Sequence, residues 1–253
     1  MFKGFYMATS GMLTQSRVLN TISNNMANAS TPGYKTDVMT TTTFEDVLIH
    51  RTGNKDKSVY TPLNTSSMIR TVDELVTNYS EGTLEFTERP LDFAITGRGF
   101  FEVQNANGEA RYTRNGSFNV DEDGYLCLQH IGRVMGANGP IYLGTDNINA
   151  TKEGLITDAD TGEALAQLRI VDFEDYSQLQ KTEEGMFESI NPAGAMGIEA
   201  TIQHRAIERS NVEATDEMVD MIASQRAFQS ASQIAKAYDQ LMNRAADLAS
   251  LTP

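Results

Sequence analysis

Both ends of this chain carry a heptad pattern, and that feature limits most strongly what the chain can fold into. Near the N-terminus an apolar series recurs at every seventh position: Phe5, Met12, Leu19 and Met26. A second series follows three positions later and includes Ala8 and Ile22. Such a pattern predicts a helix with a stripe that lies against another helix. Because an isolated helix is marginal in water, its partner is expected to come from far along the chain or from another molecule.

The C-terminal region supplies a partner for that helix. A stretch free of glycine and proline runs from Ser210 to about Leu251 and is predicted to be a second helix. Its heptad series is Met221, Phe228, Ala235 and Met242. Other apolar residues alternate three and four positions apart and include Ile234, Tyr238 and Leu241. The first half of this helix is acidic, whereas residues 1–29 contain bases and no acid, so the charges also favour pairing of the two ends.

Between the two helices the chain changes character twice. Residues 34–80 are polar, rich in threonine and low in periodicity. They predict an extended arm or a long hairpin, because a structureless loop of that length is rare in a compact domain. From Gly82 onwards, short alternating apolar runs are separated by Asn107-Gly108, Asn115-Gly116 and Asp123-Gly124. Such pairs favour tight hairpin turns, which need positive φ at both central residues, and so predict an antiparallel β domain.

Together these patterns predict an α+β fold. The N- and C-terminal helices, discontinuous in sequence, pair as a coiled-coil-like domain, and the rest forms a central antiparallel all-β domain with an extended arm. The predicted domains are residues 1–30 with 210–253 for the helices, 31–80 for the arm and 81–209 for the β domain.

Composition and charge exclude several functional classes. The net charge is −14 and the basic residues are scattered, whereas nucleic-acid binding needs a basic patch, so no nucleic-acid partner is expected. No stretch approaches the roughly 18 apolar residues of a membrane helix, so no membrane insertion is expected. The N-terminus lacks the unbroken apolar core of a cleavable signal peptide. The chain is therefore expected to be cytoplasmic or to be exported by a route that removes no peptide.

No motif for catalysis, a cofactor or a metal stands out. The single Cys127 excludes an intramolecular disulfide and a cysteine metal cluster. The three histidines lie in separate segments with no carboxylate or cysteine at ligand spacing. Residues 121–124 begin like a calcium loop, but their glycine falls at the fourth position instead of the sixth. No cofactor, metal or enzymatic activity is predicted.

The heptads themselves leave two interpretations open. In the simpler one, the two helices form an intramolecular hairpin on the β domain. In the other, they also contact neighbouring molecules, because uncharged polar residues such as Asn24, Asn28 and Gln225 occupy faces where solvated helices usually carry lysine and glutamate. This composition favours intermolecular packing.

Several ordered motifs carry a resemblance to a known family. Residues Ser10–Leu13 and Ser23–Lys35 closely resemble the N-terminal signature of bacterial flagellar rod and hook proteins. Residues Ser210–Phe228 look like the matching C-terminal signature, and Leu91–Phe118 resembles the β core that the family shares. The resemblance covers most of the chain and is weakest over residues 50–80 and 145–200.

Within that family, the length and the single mid-sized β domain look like a rod protein, not the larger hook protein. Residues Glu81–Asp92 are similar to the proximal-rod member, whereas Phe44–Leu48 and Gln225–Phe228 look more like the distal-rod member. The balance favours the distal rod. Phe228 stands where the family usually has tyrosine, and Met26 where it usually has leucine.

The resemblance implies a structural subunit without catalytic activity. Such proteins leave the cell uncleaved through the flagellar export apparatus and polymerise through their terminal helices into a hollow helical shaft of the basal body. The implied partners are further copies of the chain and other rod and hook axial proteins. A hook or hook-associated protein is the alternative within the family, and a wall-cleaving enzyme or a monomeric β-domain binding module is the alternative outside it.

The heptads and the signature together predict a set of assembly residues. On the N-terminal side they are Phe5, Met12, Leu19, Ile22, Asn24, Asn25, Met26, Asn28, Pro32 and Gly33. On the C-terminal side they are Val219, Met221, Ile222, Gln225, Arg226, Phe228, Ile234, Tyr238, Leu241 and Met242.

Overall fold

The computed structural model confirms an α+β fold. It describes residues 2–43, 47–52, 60–66, 70–105, 107–129, 131–182, 185–190, 195–197 and 200–250. The chain divides into two compact units, and it passes from one to the other four times. The helical unit contains Met1–Ala27, Thr36–Asn78 and Glu213–Pro253. The β unit contains Asn28–Lys35 and Tyr79–Val212. The predicted three-part division of the chain stays a prediction.

The helical unit contains the two terminal helices, α1 (Phe2–Ala27) and α2 (Ala214–Ser250). The helices pack on each other in opposite directions, since the start of α1 meets the middle of α2 and the end of α1 meets the start of α2. The predicted pairing of the two ends is thereby confirmed. No helix among the described residues is long and apolar enough to cross a membrane.

The middle segment of the helical unit, Thr36–Asn78, contains nested antiparallel strand pairs. The outer pair is β1 (Asp37–Thr43) with β4 (Arg70–Thr77), and the inner pair is β2 (Val47–Thr52) with β3 (Tyr60–Ser66). Each pair contains one irregularity in its register, after Met39 and after Ile49. The segment Phe44–Leu48, which resembles the distal-rod member, lies partly outside the described residues, since only Val47 and Leu48 are described.

The β unit is built from short antiparallel strands. The strand bounds, in chain order, are β5 Leu84–Phe86, β6 Phe93–Thr96, β7 Phe100–Asn105, β8 Ala110–Thr113, β9 Asn119–Val120, β10 Leu126–Leu128, β11 Gly132–Gly136, β12 Gly139–Pro140, β13 Ile148–Ala150, β14 Leu155–Asp158, β15 Ala164–Gln167, β16 Ile170–Phe173, β17 Leu179–Lys181, β18 Phe187–Ser189, β19 Ala195–Gly197, β20 Thr201–His204 and β21 Ala206–Glu208. The largest sheet has ten strands in the order β17-β18-β8-β7-β11-β10-β9, with β12 on β11, β16 on β7 and β19 on β16. A three-stranded sheet contains β13, β14 and β15, and two further pairs are β20-β6 and β21-β5. One 3₁₀ turn, Tyr176–Gln178, lies before β17.

Two of the three predicted hairpin turns join paired strands. Asn107-Gly108 connects β7 to β8, and Asp123-Gly124 connects β9 to β10. The third prediction was wrong, because β8 pairs with β7 and β18 and not with β9. Gly116 instead allows two backbones to approach closely: a Cβ there would lie 1.7 Å from the carbonyl oxygen of Phe93.

The β unit has two buried apolar clusters. The larger one includes Phe93, Phe101 and Phe118, whose rings are fully buried. The smaller one surrounds Phe100 and Phe187. Burial of this apolar surface is the main favourable term in folding, so the β unit contains an extensive interior of its own.

Candidate functional site

The two helices meet along a narrow seam. On α1 the less exposed stripe contains Gly4, Ala8, Gly11, Gln15, Val18, Ile22 and Asn25. On α2 it contains Glu217, Met221, Ser224, Phe228, Ala231, Ala235, Tyr238 and Met242. Spacings of three and four residues repeat along both stripes, which is the geometry of knobs packing into holes. The series containing Ala8 and Ile22 therefore lies closer to the partner helix than the series containing Phe5, which is 39% exposed.

The predicted assembly residues divide between this seam and the outer surface. Those buried or partly buried in the helical unit are Met12, Leu19, Ile22, Asn25, Met26, Met221, Phe228, Tyr238 and Met242. Those exposed are Phe5, Asn24, Val219, Ile222, Gln225, Arg226, Ile234 and Leu241. The remaining three, Asn28, Pro32 and Gly33, lie in the β unit and are partly or fully buried.

Large apolar side chains lie exposed on the faces of both helices that point away from the seam. On α1 they are Phe5, Tyr6, Met7 and Leu13. On α2 they are Met218, Val219, Ile222, Ile234 and Leu241. Contiguous exposed apolar groups are uncommon on monomeric proteins and mark interaction surfaces. The sequence analysis did not predict Tyr6, Met7, Leu13 and Met218 as assembly residues. A sequence signal for them does exist, because an apolar residue outside the heptad series of a helix indicates an exposed apolar surface.

Asn25 joins three elements of the helical unit. Its amide nitrogen donates to the carbonyl oxygen of Asp37 at 2.9 Å, and its amide oxygen accepts from the backbone N–H of Asp37 at 3.1 Å. The same nitrogen donates to the Glu217 carboxylate at 2.9 Å. The Asn25 side chain therefore pairs with the backbone of β1 through two hydrogen bonds, as a neighbouring strand would. Its hydrogen bond to Glu217 also fixes the end of α1 to the start of α2. A buried polar group bound in this way specifies one arrangement.

Glu217 lies at this junction, and no basic residue in the described part of the chain pairs with it. Burial raises its pKa most, the hydrogen bond from Asn25 lowers it, and the nearby Asp220 and Asp216 raise it further. No described residue forms an ion pair with Glu217. The junction is thus sensitive to the protonation state of one carboxyl group.

In the β unit, the signature glycine is needed for a close approach of two backbones. Gly33 has a φ of +69°, a conformation that other residues rarely adopt, and its N–H donates to the carbonyl oxygen of Glu208 at 2.7 Å. A Cβ at this position would lie 2.3 Å from the backbone of Arg114 and Asn115. The signature segment is therefore fixed to the β unit by its main chain.

Two residues further on, Lys35 enters a buried ionic cluster. Its ammonium lies 2.6 Å from the Glu208 carboxylate and donates to the carbonyl oxygen of Ser80 at 2.7 Å. The other Glu208 oxygen lies 3.3 Å from the Arg114 guanidinium, and the backbone N–H of Gly82 also donates to this carboxylate. Lys35 and Glu208 are each 1% exposed. Burial lowers the pKa of Lys35, and the charge of Glu208 opposes that effect.

Sequence reasoning did not connect the members of this cluster. Arg114, Glu208 and Lys35 are far apart in sequence, and each belongs to a different segment of the chain. Lys35 and Arg114 lie inside motifs that resemble the family, but Glu208 lies just before the C-terminal motif, so no sequence signal is common to all three. The cluster ties the end of the N-terminal signature to β21, so its role is to hold the fold of the β unit together.

The β unit contains an open cleft of about 640 Å³, and catalytic sites usually lie in clefts of this size. Its one carboxylate among the lining residues is Asp121, which is 2.8 Å from the Arg133 guanidinium. Burial would raise the pKa of Asp121, but hydrogen bonds from the backbone of Tyr125 and from Arg133 hold it below its usual value. A general acid for glycoside cleavage needs a raised pKa, so Asp121 is unsuited to that role. The described residues also contain no group of three potential metal ligands.

Three family profiles match the chain in order. One described as "Flagella basal body rod protein" matches residues 5–35. One described as "Flagellar hook protein FlgE/F/G D1 domain" matches residues 94–162, and one described as "Flagellar basal body rod FlgEFG protein C-terminal" matches residues 203–248. The first and third cover most of α1 and α2, and the second lies in the β unit.

Whole-length relatives agree with these profiles. A flagellar basal-body rod protein FlgG of Buchnera aphidicola is 30% identical, with 98% of this chain and 100% of that protein covered. The FlgG of Bacillus subtilis is also 30% identical, with 98% and 99% covered. A flagellar basal-body rod protein FlgF of Caulobacter vibrioides is 29% identical, with 92% and 94% covered.

Proposed function

The chain belongs to the family of flagellar basal-body rod proteins, and we propose that it assembles with further copies of itself through the outer faces of its terminal helices. It is a structural subunit of the rod in the flagellar basal body. In the proposed polymer, each copy contacts the next through different surfaces, which generates a helical filament instead of a closed dimer. The filament transmits torque by rigidity and needs no chemistry.

The exposed apolar residues of α2 carry this proposal. Val219 is 61% exposed and Ile222 is 53% exposed, and both lie on the face of α2 away from the seam. The pairing of the helices therefore leaves these side chains in water. Burying a side chain of this size on assembly contributes about 1.5–3 kcal/mol, which is enough for several such contacts to drive association.

A charge placed on this face tests the proposal. Ile222→Asp is expected to leave α2 paired with α1, because the side chain is outside the seam, but to abolish filament formation by the purified protein. Ile222→Leu is the matched control, since it keeps an apolar side chain of similar size at the same exposed position and is expected to keep filament formation. Electron microscopy and light scattering follow the filaments, and far-UV circular dichroism follows the helices. Unimpaired filaments from Ile222→Asp would refute the proposed surface.

The seam residues are less suitable for this test. Met221 and Leu19 are partly buried in the helical unit, so an aspartate there would disturb the pairing inside one copy as well as contacts between copies. Loss of filaments from such a variant would not separate the two effects. The exposed positions separate them.

We further propose that the helices are incompletely ordered until the chain assembles, which suits passage through the flagellar export apparatus. The narrow seam supports this, because helices without extensive packing are marginal. Limited proteolysis of dilute protein is expected to remove the ends and leave roughly residues 35–208. Protected ends in the dilute protein would instead support a monomeric module with a stable helical hairpin.

One narrower assignment belongs to the same proposal. Within the rod, we favour the distal part over the proximal part. Labelling the chain in isolated basal bodies and locating the label by electron microscopy tests this assignment. We also propose that the chain has no enzymatic activity. Release of fragments from peptidoglycan by the purified protein, abolished by a single carboxylate substitution, would overturn that view.

A further inference from the structure

Four elements of the helical unit meet through one series of hydrogen bonds. Glu217, at the start of α2, accepts from Asn25, near the end of α1, at 2.9 Å. Asn25 exchanges two hydrogen bonds with the backbone of Asp37, the first residue of β1. The Asp37 carboxylate in turn accepts from the hydroxyl of Thr77, the last residue of β4, at 2.7 Å. The series therefore runs from α2 through α1 into both strands of the outer pair.

The two inner members of this series are buried. Asn25 is 2% exposed and Asp37 is 6% exposed. A buried polar group that loses a hydrogen bond costs more free energy than an exposed one, because water does not replace the lost bond. Breaking the bond at either end therefore leaves a buried group of the next element with one bond fewer. For this reason the bonds are expected to form and break together.

The series reaches the outer pair at the end where its register begins. Asp37 and Thr77 lie opposite each other, and the N–H of Asn78 donates to the carbonyl oxygen of Thr36 at 2.8 Å. The outer pair is a sheet of only two strands, and the register shifts after Met39. Two strands alone are marginally stable in water. The outer pair thus depends on support at this end, where α1 contacts both strands.

We propose that Asn25 couples the ordering of the outer pair to the pairing of α1 with α2. With α2 in place, the Glu217 carboxylate holds the Asn25 amide in the orientation that pairs with Asp37. Without α2, the amide loses that partner and binds β1 less well. Asn25 is a positioning residue, since it acts on the outer pair through the backbone of Asp37. The coupling rests on the proposed function for the event that orders the helices, and it adds that the outer pair becomes ordered in the same step.

Hydrogen exchange followed by mass spectrometry of the full chain tests the coupling without any substitution. Peptides of β1 and β4 are compared with peptides from the start of α2, in dilute protein and under polymerising conditions. Protection in the two regions is expected to rise and fall together, with peptides of the β unit as the reference. Protection of one region in a state where the other is unprotected would overturn the proposal. Absence of protection from both regions in both states would overturn it too, because the junction would then not form.

A substitution on α2 provides the sharper test. Glu217→Ala removes the acceptor for Asn25, and Glu217 has no hydrogen bond to the described residues of β1 or β4. In the state where α2 of the wild type is protected, this variant is expected to speed exchange in the outer pair about fivefold or more. Glu217→Gln keeps an acceptor oxygen and is expected to retain most of the protection.

The matched control for Glu217→Ala lies on the same helix. Asp220→Ala removes an exposed carboxyl group about one turn further along α2 and is expected to leave exchange in the outer pair unchanged. An effect of Glu217→Ala confined to peptides of α2 would overturn the coupling. Equal effects of the two variants on the outer pair would do the same.

A double-variant cycle assigns the coupling to Asn25. Asn25→Ala alone is expected to speed exchange in the outer pair at least as much as Glu217→Ala does. Adding Glu217→Ala to Asn25→Ala is expected to change that exchange by less than about twofold, because both substitutions break the same series of bonds. If the two effects on the outer pair multiply instead, the coupling runs through other contacts and Asn25 does not carry it.

The outcomes distinguish this coupling from the proposed function. Filaments whose outer pair stays protected in Glu217→Ala and Asn25→Ala would overturn the coupling and leave assembly through the helices standing. Coupled protection in a protein that forms no filaments would support the coupling and overturn the proposed assembly. Filaments in which Glu217→Ala and Asn25→Ala each loosen the outer pair support both.

Discussion

The two units of this chain bury their side chains in different ways. In the β unit, whole aromatic rings such as those of Phe93 and Phe118 are removed from water. In the described part of the helical unit, the buried apolar residues are only Ala8 and Ile22. The difference shows that the β unit has the interior of an independent domain, whereas the helical unit has a seam and a large apolar exterior. The β unit therefore has enough buried apolar surface to fold by itself, whereas the helical unit still has apolar surface that further contacts would bury.

The two units also differ in which groups surround their least exposed carboxyl groups. The β unit encloses Lys35, Glu208 and Arg114 in one network with short contacts. The helical unit leaves Glu217 with an amide as its neighbour and no cation among the described residues. A buried carboxylate that lies between two cations favours one arrangement, whereas a carboxyl whose neighbour is an amide makes a junction that responds to its surroundings.

The largest expected effect comes from removing the anion of the buried network. Glu208→Gln leaves Lys35 and Arg114 facing each other without a counter-charge, which is expected to destabilise the β unit by about 3–5 kcal/mol. Hydrogen exchange followed by mass spectrometry measures this peptide by peptide, so the two units are resolved. Peptides of the β unit are expected to lose protection, including those of strands distant from Glu208.

The matched control for that prediction is on the neighbouring strand. Glu85→Gln removes an exposed ion pair with Arg209 and is expected to change stability by at most about 1 kcal/mol. Equal losses from the two variants would contradict the view that burial makes the network at Glu208 important.

The next effect comes from Gly33. Gly33→Ala is expected to cost about 1–3 kcal/mol from its positive φ alone, and more because its Cβ would meet the backbone of Arg114 and Asn115. Gly97→Ala is the control, because Gly97 also has a positive φ but nothing lies within 4 Å of its Cβ. Chemical denaturation monitored by circular dichroism compares the two. If the two variants lose equal stability, the close approach has no energetic role.

A smaller effect concerns the pH dependence of the helical unit. The pKa of Glu217 is raised in the folded state, chiefly by burial. Its contribution to stability is therefore fully present below the unfolded pKa of about 4.3 and is lost as the pH rises through the folded pKa. Far-UV circular dichroism during thermal unfolding is expected to show more stable helices at mildly acid pH than at neutral pH.

Substitution identifies the carboxyl group responsible. Glu217→Gln is expected to reduce this pH dependence, whereas Glu213→Gln, at an exposed position before the same helix, leaves it unchanged. The difference between the variants is the quantity measured, because other carboxyl groups titrate in the same range. A pH dependence equal to that of the wild type in Glu217→Gln would assign the effect elsewhere.

The sequence predicted the fold class well because its strongest signals are local. Heptads indicate helices, and Asn107-Gly108 and Asp123-Gly124 indicate hairpins, through backbone preferences that act within a few residues. Asn115-Gly116 misled the prediction because Gly116 is required by contact with Phe93, a residue from another strand. The same limit hid the network of Lys35 and Glu208, which only the folded chain brings together. For the same reason, the sequence did not show which heptad residues lie in the seam and which lie on the outer face. Apolar residues at both places recur with similar spacings.

The smallest expected effect tests how closely the helices pack in the seam. Alanine favours a helix over glycine by about 1 kcal/mol, so Gly11→Ala is expected to stabilise the helical unit by about that amount, since nothing lies within 4 Å of its Cβ. Gly4→Ala is expected to gain less or to lose stability, because its Cβ would lie 2.1 Å from the hydroxyl oxygen of Tyr238. Thermal unfolding monitored by far-UV circular dichroism measures both variants.

Gly4 lies in the first turn of α1, where fraying also reduces the gain, so the comparison needs a background in which the tyrosine ring is absent. In Tyr238→Leu protein, Gly4→Ala is expected to become more favourable than in the wild type; an unchanged effect would mean that the helices do not pack closely at Gly4 in solution.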